Sequence, residues 1–206
     1  MCVLNLGKAR CSLKTKKMLA IQATPRKHGK VASMLDTAVQ QGKSCGYDTV
    51  VIDLYEKNIQ YCTGCMACRS QGRCVIQDDL PGIAALLQES DLIVLAAPTW
   101  FANVPAVLKA LFDRIAGLTM EEGPTGIPHG RFKKEQKYML ITACTTPFPF
   151  NYLAGQSSGC IRAMREVLHT SGMTMAGKVV LSGTKNKKQI PEKVLNKIRK
   201  IVRKSL

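Results

Sequence analysis

Residues 91–114 read DLIVLAAPTWFANVPAVLKALFDR. The near-continuous apolar run at 91–97 is the mark of a strand covered on both faces, as parallel strands are. Pro98 closes that strand and Pro105 opens a helix whose Val107, Leu108, Leu111, Phe112 and Ile115 recur on one face. Between them lies a short loop carrying the chain's single tryptophan, Trp100. A buried strand, a loop at its carboxyl end and an amphipathic helix together make half of a βαβ unit.

The alternation continues in both directions. Strands are predicted over 18–23, 49–54, 138–143 and 177–181. One helix begins near Ser33, buries Met34, Leu35, Ala38 and Val39, and ends at Gly42 or Gly46. A second is announced by Asp78, Asp79 and Pro81, with Ile83, Leu86 and Leu87 inward. A third carries Ile161, Met164 and Leu168 and stops at Gly172. The last places Val194, Leu195, Ile198, Ile201 and Val202 in one apolar stripe. Five strands and five helices predict one α/β domain over 18–206, a parallel sheet with helices on both faces. A glycine- and proline-bearing excursion covers 117–130, and the loop at 145–159 is a candidate lid or ring-binding wall. Residues 1–17 differ in composition and are expected to be a loosely held basic extension.

A chain of 206 residues with 46% apolar and 5% aromatic residues can bury a full core of Ala, Val, Ile and Leu. No signal-peptide core and no membrane span are read from it. The longest uncharged run, 92–108, contains Pro98, Asn103 and Pro105, and a cytoplasmic location is expected. The formal charge of +16 is concentrated at the two ends. Such a field suits an acidic partner, but no aromatic interleaving or nucleic-acid motif accompanies it, and specific nucleic-acid binding is not expected. Three histidines supply no set of nucleophile, base and orienting acid, which disfavours hydrolysis.

In an open parallel sheet, ligands sit beyond the carboxyl ends of the strands where the strand order reverses. The loop Thr24-Pro-Arg-Lys-His-Gly-Lys30 leads into a helix N-terminus, where free amides favour a phosphate. Thr24 offers a hydroxyl, Arg26 and Lys30 cations, and Val31 and Ala32 amides. The second loop, with Pro98, Thr99, Trp100, Phe101 and Asn103, offers flat apolar neighbours and polar partners to a planar heteroaromatic ring. The third begins at Cys144 and Thr145. His28 reads as a solvated turn residue, and basic turns as such are common.

Cys62, Cys65, Cys68 and Cys74 follow the spacing C-x2-C-x2-C-x5-C. Gly64 and Gly72 relax the backbone between them. Thiolates select zinc or iron–sulfur clusters over hard cations. The compact run favours a cluster, and zinc or unligated thiols remain open. A disulfide framework is disfavoured by the core-rich length and by an odd total of nine cysteines.

Thr24-Pro-Arg26, the cysteine run followed by Asp78-Asp79, Pro98-Thr-Trp-Phe101 and Leu108-Lys-Ala-Leu-Phe-Asp-Arg114 resemble the NADPH-dependent FMN reductase family. With all four cysteines present, the chain is similar to its iron–sulfur flavoprotein branch. The resemblance is good over 18–114 and looser beyond. It implies a flavodoxin-like doubly wound sheet of order 2-1-3-4-5, bound FMN and a homodimer in which the cluster of one subunit serves the flavin of the other. Two features depart from the pattern. The phosphate loop reads Gly29-Lys30-Val31 where the family often has Gly-Asn-Thr, so a hydroxyl is lost, and the basic extension has no counterpart.

The expected function is therefore FMN-dependent electron transfer between NAD(P)H or a one-electron carrier and an acceptor, through a 4Fe-4S cluster at Cys62, Cys65, Cys68 and Cys74. Without a G-x-G-x-x-G fingerprint, a nicotinamide would stack on the flavin. An acidic ferredoxin-type carrier is a candidate partner. The alternatives are a non-enzymatic flavin carrier or redox sensor with a zinc or thiol switch, and a zinc-stapled domain that binds polyanions through its basic ends.

Overall fold

The computed structural model describes residues 15–123 and 125–206. Most of the expected N-terminal extension lies outside the described residues. In chain order the elements are β1 Lys17–Gln22, α1 Lys30–Ser44, β2 Asp48–Asp53, α2 Ala67–Gln71, α3 Leu80–Glu89, β3 Leu92–Pro98, α4 Ala106–Thr119, β4 Met120–Glu122, β5 Pro128–Gly130, β6 Lys137–Ala143, α5 Phe150–Leu153, α6 Gln156–Thr170, β7 Thr174–Leu181 and α7 Glu192–Lys204.

The main sheet has the order β2-β1-β3-β6-β7, and all its pairs are parallel. This is the doubly wound arrangement expected from the sequence. β3 lies at its centre, and Leu92 to Ala97 are between 0% and 1% exposed. Alternate β3 residues feed two separate cores. Ile93, Leu95 and Ala97 pack with residues of α3, α4 and α6, while Leu92, Val94 and Ala96 pack with α1 and α7. A strand that is apolar on both faces requires helices on both faces.

Element boundaries differ from the sequence reading in instructive ways. α1 begins at Lys30 rather than Ser33, because Gly29 takes the N-cap position in extended backbone without any side-chain cap. Ser33 instead lies inside the first turn and returns its amide and hydroxyl to the Gly29 carbonyl at 2.9 and 3.2 Å. β7 begins three residues before Gly177, and its register shifts within the strand, between Met175 opposite Tyr138 and Gly177 opposite Met139. Gly177 lies inside the strand, where an added Cβ would meet the Ile201 side chain of α7 at 2.8 Å.

The excursion after α4 contains an antiparallel hairpin, β4 with β5. It is seated closely, since a Cβ at Gly130 would fall 2.2 Å from the Ser171 backbone. Among the described residues, no helix is long and apolar enough to cross a membrane.

Candidate functional site

The chain leaves β1 for β2 on one side and later crosses to β3 on the other, so the strand order reverses between β1 and β3. Two of the three expected loops emerge there side by side. The Ala23 amide donates to the Ala96 carbonyl at 2.8 Å, continuing the β1–β3 pairing to the edge of the crevice.

The β1 loop is a tight turn ending at the α1 N-terminus. The Gly29 amide donates to the Arg26 carbonyl at 2.9 Å, and a Cβ on Gly29 would crowd Arg26 at 3.0 Å. Thr24 is buried and its hydroxyl accepts the Arg26 amide at 3.4 Å. Val31 and Ala32 are buried as side chains, so they can offer only their amides. The first turn of α1 contains no acidic residue and no side chain occupies its cap. Uncapped amides with Arg26 and Lys30 nearby suit a phosphate monoester.

The β3 loop is held from within and presents its aromatics outward. Thr99 donates its amide to the Ala143 carbonyl at 2.9 Å, and its hydroxyl lies 3.0 Å from that of Thr142. Trp100 and Asn103 exchange backbone hydrogen bonds of 2.9 and 2.8 Å. Asn103 accepts the Val104 amide through Oδ1, leaving its amide nitrogen for a ligand. Phe101 and Ala102 adopt left-handed backbone at φ 47° and 61°. Trp100 is 53% and Phe101 92% exposed, so neither is a core residue. α6 supports this loop through Gly159, where a Cβ would lie 2.1 Å from the Ala102 carbonyl oxygen.

The β6 loop adds Cys144 and Thr145 beside the same edge. Cys144 is buried, and burial pushes its thiol pKa up. Thr145 is exposed. Beyond it, Asn151 is buried and donates to the Ser157 hydroxyl at 2.8 Å, while Phe148, Phe150 and Leu153 face outward. These exposed apolar side chains thus stand on a loop pinned from within by the Asn151–Ser157 bond.

The four cysteines form a second centre. Cys62, Cys65, Cys68 and Cys74 all line one cavity of about 90 Å³, closed on its inner side by Asp113, Arg114, Ala116 and Gly117 of α4. Gly64, Met66 and Gly72 take left-handed backbone in the intervening turns. α4 approaches so closely that a Cβ on Gly117 would fall 2.3 Å from the Cys68 sulfur. Cys62 and Cys65 are exposed, and Cys68 and Cys74 are half-buried. The Cys65 pKa is lowered by the Ala67 amide and by the Thr63 hydroxyl. Among the described residues, no three His, Cys, Asp or Glu side chains stand close enough to share a single ion.

Arg114 and Asp78 were legible in the sequence only as parts of motifs. The structure makes them the keystone of the cysteine segment. Their side chains are both fully buried and paired at 2.7 Å. Arg114 also donates to the carbonyls of Gln60 and Ile76, and Asp78 accepts the amides of Gln60 and Leu80. Burial would raise the Asp78 pKa, but the Arg114 guanidinium and these amides leave it lowered. Arg69 pairs with Glu122, tying the segment to the β4–β5 hairpin.

A family model described as flavodoxin-like fold matches residues 16–204. An iron-sulfur flavoprotein of Archaeoglobus fulgidus is 37% identical over 99 residues, covering 48% of this chain and 45% of that protein. An FMN-dependent NADH:quinone oxidoreductase of Bordetella avium is 39% identical over 61 residues, covering 29% of this chain and 30% of the other. The chain spans about half the length of the first curated relatives it matches. Among solved structures, an NAD(P)H:quinone oxidoreductase from Methanothermobacter marburgensis superposes with a TM-score of 0.75 at 16% identity, over 92% of this chain and 98% of that one.

Proposed function

We propose, because the chain belongs to the flavodoxin-like fold family, that it is an FMN-dependent oxidoreductase with a 4Fe-4S cluster at Cys62, Cys65, Cys68 and Cys74. The observation that carries this reading is the single cavity lined by all four cysteines, in a chain whose β1 and β3 loops meet at the switch point. Thiolates that ring a cavity without converging on one point suit a cluster, where each binds a separate iron. The name of the Archaeoglobus relative supports both cofactors, and that of the Bordetella relative supports FMN, NADH and a quinone acceptor.

Bound FMN would supply the exchange between two-electron and one-electron chemistry, and the cluster a one-electron store. The chain's own residues do the positioning. Arg26, Lys30 and the amides of Val31 and Ala32 hold the phosphate, with Thr24 bracing the turn. Pro98, Thr99, Trp100, Phe101 and Asn103 form one wall against the ring, and Cys144 and Thr145 the adjoining edge. Lys30 takes over electrostatically from the hydroxyl that this loop lacks.

The twelve helical rises from Pro105 to Gly117 place about 18 Å of helix axis between the ring-binding loop and the cysteine cavity. That offset favours a homodimer in which the cavity of one copy approaches the strand-end loops of the other. The outward Trp100, Phe101, Phe148, Phe150 and Leu153 are the surface such a copy would cover. One domain over 18–206, a cytoplasmic setting that keeps the thiols reduced, and an acidic ferredoxin-type carrier drawn by the basic surface complete the proposal.

A second reading, a thiol-based redox sensor, draws on exposed Cys65 with its lowered pKa. Anaerobic mixing with a small excess of NADH or NADPH, followed by a quinone, separates the two. Bleaching of the flavin band and repeated turnover support the enzyme. A flavin left oxidised by both nicotinamides, with reversible oxidation at Cys65, would replace it with the sensor.

A further inference from the structure

Arg114 is the one charged side chain of the cysteine cavity that is fully buried together with its counter-ion. Its two terminal nitrogens are occupied by Asp78, Gln60 and Ile76. Its Nε is buried with no partner. A buried guanidinium N–H left without an acceptor is costly unless a group outside the protein completes it. Arg114 and Cys74 line the same cavity, and a guanidinium keeps its proton at any ordinary pH.

We infer that Arg114 is a positioning residue that sets the reduction potential of the four-cysteine site, by holding a fixed positive charge and an unpartnered N–H at the wall of the cavity that the four cysteines line. The inference rests on the cluster reading. One electron from reduced nicotinamide, passed on by bound flavin, would make a cluster held by the four thiolates one unit more negative. No bond is made or broken and no proton moves, because the guanidinium stays protonated throughout. A neighbouring cation therefore stabilises the reduced form more than the oxidised one and raises the potential, as hydrogen bonds to cluster sulfur do. Asp78 offsets part of that charge. The two members of the pair thus act in opposite directions on the same site.

This opposition supplies a test that general damage to the fold cannot imitate. Anaerobically purified, flavin-loaded protein is titrated with dithionite, with the cluster followed by electron paramagnetic resonance and the flavin by absorbance. Arg114→Gln is expected to shift the cluster equilibrium at least tenfold toward the oxidised form, a midpoint lower by about 59 mV or more. Asp78→Asn breaks the same ion pair but keeps the cation, and is expected to shift the midpoint upward. Arg114→Lys restores most of the wild-type value, and the flavin midpoint stays put in every variant. If Arg114→Gln fails to fold, the upward shift in Asp78→Asn and the near-wild-type value in Arg114→Lys carry the test.

An unchanged cluster midpoint in Arg114→Gln, or shifts of the same sign in both single variants, would overturn the inference while leaving the cluster reading intact. Wild-type protein without iron overturns the cluster reading itself and this inference with it.

Discussion

β3 and the cysteine segment are ordered by opposite means. From Leu92 to Ala97 the strand is enclosed by apolar side chains on both faces. From Tyr55 to Asp79 no residue is buried as a whole, although the Asp78 side chain is enclosed. The segment is fixed by a few polar contacts: the Arg114–Asp78 pair, the Gln60 amide on Asp78 at 2.9 Å, and Asn58, which gives its amide to the Asp79 carboxylate at 2.9 Å and accepts the Asp79 amide at 3.1 Å. Apolar burial is spread over many contacts and tolerates the loss of one. A polar clamp concentrates order in a single pair, and the same pair then governs whatever the segment holds.

The largest effect should come from the clamp. Arg114→Met leaves the Asp78 carboxylate buried without its cation, and a cost of about 3–5 kcal/mol is expected in urea unfolding. A smaller loss than in Leu95→Ala would contradict the clamp's importance. Leu95→Ala, in the centre of β3, is expected to cost about 2–5 kcal/mol. Iron and flavin per folded chain should nevertheless stay at wild-type levels, because Leu95 belongs to the core and to neither centre.

Gly117→Ala sharpens the comparison from the side of packing. Its Cβ would collide with the Cys68 sulfur, and overpacking of about 1–3 kcal/mol is expected. The distinguishing result is a drop in iron per chain at unchanged FMN. The clamp also has a pH signature. The Asp78 pKa is lowered in the folded state, so its stabilisation is complete above the unfolded carboxyl pKa of about 3.9 and is lost as pH falls through the lower folded value. Acid unfolding of iron-free Asp78→Asn should be less steep over that range than in wild type, and coincident curves would remove the effect. The smallest change is expected at the phosphate loop. Lys30→Ala should weaken FMN binding by about 1 kcal/mol or less, a few-fold in Kd, with the deficit shrinking as salt is raised.

The same contrast explains what could be read from the sequence. β3 was legible because its environment is written in its composition, and the sheet order followed from alternation and resemblance. The β4–β5 hairpin was not, because Met120–Glu122 and Pro128–Gly130 are too short and too polar to show a period of two. Asp78 was read as a helix-start signal, and it does accept the Leu80 amide at 3.1 Å. Its larger role depends on Arg114, a long-range pairing that local pattern does not encode. Gly117 looked like the start of an irregular excursion, yet it lies inside α4 as the point where the helix makes room for Cys68. Site residues in loops were found by residue chemistry, and their three-dimensional supports, Gly159 beneath Ala102 above all, were not.

The most direct test of the account is the composition of protein purified without exposure to oxygen: FMN, iron, sulfide and zinc per chain, beside the absorbance spectrum. The account predicts one FMN with about four iron and four sulfide per chain. A preparation with zinc or bare thiols in place of iron, or with no flavin, would contradict it.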